Sequence, residues 1–138
     1  MASESTVRVD TFQAIYTLIN ANKLTGWTVV SSFPETEPSF PCIVINPANI
    51  SSSVMTLNNG KRNTEIRIVF ELYASSRDGK QKIDQGSDNL TSTFTTNDLI
   101  STSTIVFHEL NDLSSDMLEF AGQKLNNKDI EGVFSLIT

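Results

Sequence analysis

TEIRIVFELYA, residues 64–74, is the stretch that decides the fold. Ile66, Ile68, Phe70 and Leu72 recur at every second position. Glu65, Arg67, Glu71 and Tyr73 occupy the alternate positions, with Val69 the single aliphatic residue among them. Side chains of a strand point alternately to the two faces of its sheet, so this pattern predicts one buried face and one that meets water or another polar surface. An eleven-residue strand with a fully apolar face needs neighbours on both sides, which places it centrally in the sheet.

Working back from it, Asn58-Asn59-Gly60-Lys61-Arg62-Asn63 is a turn signal. Val54–Leu57 and Thr64–Ala74 are then the arms of a long hairpin around residues 54–74, with Lys61 and Arg62 at its tip. Cys42–Asn46 (CIVIN) reads as a short buried strand that Pro47 stops. Phe33–Pro41 (FPETEPSFP) holds three of the four prolines and predicts a stiff extended loop. Its Phe33 and Phe40 are either tucked beneath the loop or offered to a partner. Nearer the N-terminus, Phe12, Ile15, Tyr16 and Ile19 form a helical stripe from Asp10 or Thr11 to Lys23, with Asp10 as the N-cap. Gly26 ends that element, Trp27–Ser31 is a strand, and residues 1–8 are expected to be flexible.

Working forward, Lys80–Phe94 predicts a second helix through Ile83, Leu90 and Phe94, poor by propensity because of Gly86 and its Ser/Thr content. Leu99 and Ile100 are compatible with an extension of it. Thr104–Leu110 (TIVFHEL) is a strand, Asn111–Asp116 a polar turn, and Met117–Phe120 a short edge strand. Gly122–Asn127 turns again before a last strand, Asp129–Ile137 (DIEGVFSLI), in which Gly132 marks a bulge. The order predicts one α+β domain over residues 1–138: a mostly antiparallel sheet of five or six strands with two helices packed on one face.

The chain has 138 residues and a formal net charge of -6. That balance argues against gripping nucleic acid through phosphate neutralisation, which needs clustered cations. Cys42 is the single cysteine, so no intrachain disulfide forms and a reducing compartment is expected. No apolar run reaches the roughly 20 residues of a membrane span, and no signal peptide or membrane association is expected.

Chemistry is sparse. His108 is the one histidine, and His108-Glu109 lacks the second histidine of a zinc-protease helix because Asp112 stands there. His108, Asp112 and Asp116 are the residues a metal site would draw on, but an ordinary half-exposed strand histidine fits better. No G-x-S-x-G turn presents a serine. Gly60-Lys61 lacks the upstream glycine of a phosphate loop. Glu35 and Glu37 are acidic loop residues, and Cys42 fits a buried strand position better than a nucleophile. No catalytic residue, metal ligand or cofactor is assigned. The expected surfaces are for assembly: the loop with Phe33, Glu35 and Phe40, the tip with Asn59, Gly60, Lys61 and Arg62, and the strand face with Arg67 and Glu71.

The layout from Asp10 to Thr138 resembles the tail terminator or tail completion proteins of long-tailed bacteriophages. The resemblance rests on the N-terminal helix, the strand at Trp27, FPCIVINP at Phe40–Pro47, TEIRIVFELYA, the polar amphipathic helix, TIVFHEL and DIEGVFSLI. It implies a virion protein made in the host cytoplasm that forms a homo-oligomeric ring, usually a hexamer, at the head-proximal end of the tail. Such a ring stops the tail tube protein from polymerising and joins the tail to a head-tail connector or head completion protein. DNA passes through the lumen without specific binding, and an acidic wall suits that passage. Another neck component or a tail tube subunit is the alternative within the virion. A small ligand-binding domain or minor enzyme using His108 is the alternative of another class.

Overall fold

Backbone alternation at Thr64–Ala74 builds the centre of the molecule. In a computed structural model, residues 4–30, 41–58, 61–75, 79–96, 99–100, 105–120 and 123–137 are described. They form α1 (Glu4–Asn22), β1 (Thr28–Val30), β2 (Cys42–Asn58), β3 (Lys61–Ser75), α2 (Gly79–Thr96), β4 (Leu99–Ile100), β5 (Ile105–Phe120) and β6 (Gln123–Ile137). The six strands make one sheet in the order β1-β2-β3-β6-β5-β4. Only β1 and β2 run parallel; every other neighbour is antiparallel. This is the expected α+β fold with β3 at its centre.

Both helices lie against one face. Ile15 and Ile19 of α1 and Ile83, Leu90 and Phe94 of α2 join Ile66, Ile68, Phe70, Leu72 and Ala74 of β3 in a single core. Phe94 is the hub of an aromatic group, with ring centroids 5.6 Å from Phe70, 5.3 Å from Phe107 and 5.2 Å from Phe134. Truncating such a buried ring to alanine removes about 3–5 kcal/mol, a large share of the stability of a small domain. The helices also touch each other: the Asn89 side chain donates to the Asn22 carbonyl at 3.0 Å, satisfying an end group of α1 that has no intrahelical partner.

Two glycines make room for this packing. A Cβ at Gly86 would overlap the Trp27 ring and stand 3.0 Å from Leu72 Cδ2. A Cβ at Gly132 would stand 2.7 Å from Phe134 and 2.8 Å from Phe70. Gly132 is therefore not a bulge: it pairs in register with Ile68 and Leu110. The Leu24–Trp27 turn, closed by Trp27 N to Leu24 O at 3.1 Å, places Gly26 at φ 92°, where a side chain would be strained.

Several boundaries depart from the sequence reading. α1 starts at Glu4, so Asp10 lies inside the helix and the expected flexible residues 4–8 are helical. Nothing in residues 4–10 is glycine or proline, so a helix nucleated on the Ile15/Ile19 stripe propagates backward at little cost. Pro47 does not end β2. The register passes from Ile45↔Phe70 to Ile50↔Ile68, five steps on β2 against two on β3, and Pro47 sits within that bulge. A bulge tolerates a residue that cannot donate to the ladder. Leu99–Ile100 is strand β4, not helix. The expected turn at Asn111–Asp116 and edge strand at Met117–Phe120 are parts of one sixteen-residue strand, β5, and β6 begins at Gln123. Polar residues do not break β5 because β6 supplies backbone partners on both sides of the register shift between Asp112 and Ser114.

Candidate assembly surfaces

The second face of the sheet is divided. Around Arg67 it is polar and open. Arg67 Nη2 donates to Glu65 Oε1 at 2.8 Å and Nη1 to Glu131 Oε1 at 2.9 Å, bridging β3 and β6. The two carboxylates, Glu65 by charge and Glu131 by hydrogen bond, hold the guanidinium above its ordinary range. Arg67 itself is exposed, so this cluster is a surface device and adds little to stability.

At the other end the same face is closed. Cys42, Val44, Tyr73 and Leu125 are buried there, with Val30 packed on them. The sequence expectation that all of this β3 face meets water or a polar surface therefore holds for Arg67 and fails for Tyr73, which is 6% exposed. The cause lies in CIVI, an unbroken apolar run that sends Ile43 and Ile45 to the helix side and Cys42 and Val44 to the other. Glu71 sits at the boundary and accepts from the Tyr73 hydroxyl at 2.9 Å. Burial first, and then that hydrogen bond, push the tyrosine hydroxyl up. Burial, followed by the Glu71 charge, pushes the Cys42 thiol up to about 12, so Cys42 has the character of a packed thiol and not a nucleophile.

His108 lies in a register irregularity of β5 between Phe107 and Glu109, and its Nε2 bonds Ser135 Oγ. Asp112 pairs with Lys128 at 3.4 Å. It stands opposite Ile130, in a residue pair on the helix side, whereas Ser135 pairs with Glu65 on the open side. His108 and Asp112 thus serve different faces. Among the described residues no group of three or more His, Cys, Asp or Glu is arranged to hold a metal ion. No helix among them is long and apolar enough to cross a membrane.

The assembly candidates separate as follows. Arg67 and Glu71 share a face, the first open and the second half-covered. Lys61 and Arg62 open β3, paired with Asn58 and Leu57, so the β2–β3 connection is the two residues Asn59 and Gly60. Asn59 and Gly60, like Phe33, Glu35 and Phe40, fall outside the described residues.

Two surfaces were missed by sequence reasoning. One is the pair of sheet edges: β1 covers only Cys42–Val44 of β2, and β4 only Ile105–Val106 of β5. Beyond these the edges have no partner strand among the described residues. Both carry register shifts, near Pro47 and Val54 on β2 and near His108 and Leu113 on β5, the kind of device that discourages indiscriminate edge pairing. The other is a cleft between the start of α2 and the far half of β5, about 670 Å3 in volume. Leu113 (52% exposed) and Met117 (63%) line it. Their four-residue spacing among polar neighbours was the only sequence signal, and it reads equally as a turn.

Comparison with known proteins yields fold similarity and no family. No family model matches the chain, and no curated protein matches it. Among solved structures, a chain of the virion of a native gene transfer agent particle superposes with a TM-score of 0.51 at 10% sequence identity. The match covers 90% of this chain and 93% of that one. At that identity the likeness is one of architecture, and it takes in essentially the whole of both chains.

Proposed function

We propose that this chain is a structural component of a phage-like virion and, more finely, a tail terminator subunit. The observation that carries the proposal is the whole-chain likeness to a chain of the gene transfer agent virion. A partial match would speak only for a shared substructure; coverage of 90% of this chain and 93% of that one extends the likeness over nearly the whole of both. The surfaces are consistent with this role. They offer polar, half-covered and edge-strand features suited to subunit contacts, and the reading calls for no catalytic step.

In this reading the subunits close into a ring, a hexamer by the sequence resemblance, on the head-proximal end of the tail tube. The ring caps the tube protein and receives the head-tail connector or head completion protein. DNA passes through the lumen, which an acidic protein lines without adhesion. Native mass spectrometry and negative-stain imaging of the purified chain test the ring. A closed oligomer that binds one end of isolated tail tubes is expected. A protein that stays monomeric at high concentration and with tubes present would overturn the terminator reading. Copolymerisation along the tube would identify a tube subunit instead.

A further inference from the structure

We infer that the outer edge of β5 takes the outer edge of β2 from a second copy of this chain as its next antiparallel strand. This rests on the ring reading above and assigns its contact. β1 covers Cys42–Val44 and leaves fourteen of the seventeen residues of β2 without a second partner strand among the described residues. β4 covers Ile105 and Val106 and leaves fourteen of the sixteen residues of β5 in the same state. Each edge is a row of backbone donors and acceptors, the template on which a further strand adds.

Strand direction suits this pairing. β2 is antiparallel to β3, β3 to β6 and β6 to β5, so β2 and β5 run in opposite directions. A second copy set beside the first in the same orientation therefore offers its β2 to β5 as an antiparallel neighbour. The contact joins different patches on like subunits. Such heterologous contacts generate rings when the rotation closes.

The short outer strands set the stagger. Register across the sheet puts Cys42 level with Asp116 and Val54 level with Ile105. In a straight lateral repeat β4 would collide with the neighbour's β2 near Ser53, and the neighbour's β1 with β5 near Ser114. Sliding the neighbour along the strands by about seven residues, roughly 23 Å, carries both obstacles past the paired segment. Ile45 then stands opposite Phe120 and Asn58 opposite Phe107, so the smallest slide that clears β1 and β4 also brings the two free edges together end to end. Closing a sheet around an axis requires such a stagger, with the strands tilted. The register shifts on β2 and β5 divide the new ladder into short runs, as they do within the subunit.

Charge selects between the possible pairings. β5 carries Glu109, Asp112, Asp116 and Glu119, whereas β2 has no charged residue. Two β5 edges laid together would oppose carboxylates, which destabilises a strand pair. β2 against β5 carries no such penalty. A β2–β2 contact is allowed by charge, but it is isologous: it ends at a dimer and leaves both β5 edges open.

Paired cysteines and a charge series test this. In the staggered register Ser51 of one copy faces Ser114 of the other, and both side chains are exposed. Directly opposed residues are close enough for a disulfide. Within one subunit the two are kept apart by β3 and β6, about 14 Å across three strand spacings. Mild oxidation of the Ser51→Cys/Ser114→Cys chain should therefore give a ladder of covalent multimers on a non-reducing gel, and neither single variant should. Ser51→Lys, facing the acidic β5, should lower the concentration for half-assembly in sedimentation velocity by roughly twofold to fivefold, and Ser51→Glu should raise it by as much. Inside the subunit Ser51 pairs with Arg67, where glutamate is the better neighbour, so this order of effects reports the contact between copies. Rings that form without the ladder, or that ignore the charge at position 51, overturn the edge pairing and leave the ring standing. Covalent dimers from Ser51→Cys alone show a β2–β2 contact and refute it. A wild-type chain that never assembles removes the ring and this contact together.

Discussion

Replacing Gly86 by alanine sets two magnitudes against each other. Within a helix alanine is favoured over glycine by about 0.8–1.0 kcal/mol, so propensity alone predicts a more stable α2. The structure predicts the reverse. The added Cβ would overlap the Trp27 ring and come within 3.0 Å of Leu72 Cδ2. Both neighbours are buried, Trp27 at 4% and Leu72 at 0% exposure, so neither can swing away into solvent. Overpacking a well-filled core costs about 1–3 kcal/mol, occasionally more. With a rigid indole and a fully buried leucine in contact, the upper part of that range applies. The net is a loss of about 1–2 kcal/mol. For 138 residues the unfolding entropy is about 0.3 kcal/mol per kelvin, so the melting temperature falls by roughly 3–7 °C. Differential scanning calorimetry measures it, and the single tryptophan reports the same site by fluorescence. Combining Gly86→Ala with Trp27→Leu should recover part of the loss, because the smaller side chain vacates the overlap. An unchanged or higher melting temperature in the single variant would show that the helix–strand approach is looser than described.

Further outcomes follow from other sites. Thr11 is fully buried, and its hydroxyl has no hydrogen-bond partner among the described residues. Thr11→Val keeps the shape and removes a desolvated polar atom, so stability in urea titration should rise by about 1 kcal/mol; a loss would mean the hydroxyl is satisfied. The Cys42 thiol should resist an aromatic disulfide reagent at pH 8 in the native protein and react promptly in guanidinium, and rapid native labelling would contradict its burial. Its folded value, about 12, exceeds the ordinary 9.0, and Tyr73 is likewise raised above 10.0. Groups raised on folding contribute stability that is whole below the unfolded values and is lost as pH climbs through the folded ones. Thermal melts should therefore be flat up to about pH 9 and decline above it, and a flat profile to pH 11 would refute the assignment. Arg67→Glu should leave the melting temperature of the subunit near wild type and weaken assembly. Glu71→Lys should lower it, because it takes away the acceptor of the buried Tyr73 hydroxyl.

Local pattern carried much of the architecture. Ile66, Ile68, Phe70 and Leu72 declare their face by alternation, and Ile15 and Ile19 by helical spacing, because burial selects apolar residues at the period of the backbone. Helix and strand identity, the central place of β3 and the two-helix layer were legible for that reason. The role of Gly86 was not. Propensity marks it as a helix defect, and only the approach of Trp27, 59 positions away in the chain, shows that the missing Cβ is what lets α2 sit on the sheet. The length of β5 was hidden likewise: Asn111–Asp116 has turn composition, but its partners on β6 hold it extended.

For the candidate surfaces the division is sharper. Sequence alone determined residue chemistry: a single thiol, a single histidine, one adjacent pair of cations and an acidic total. It could not say that the face shared by Arg67 and Tyr73 is open at one end and sealed at the other, since that depends on which β2 residues lie across the ladder. Nor could it place Leu113 and Met117 beside Asn126 and the start of α2. A cleft is a property of surfaces brought together from distant parts of the chain, and periodicity records only the side on which each residue is buried.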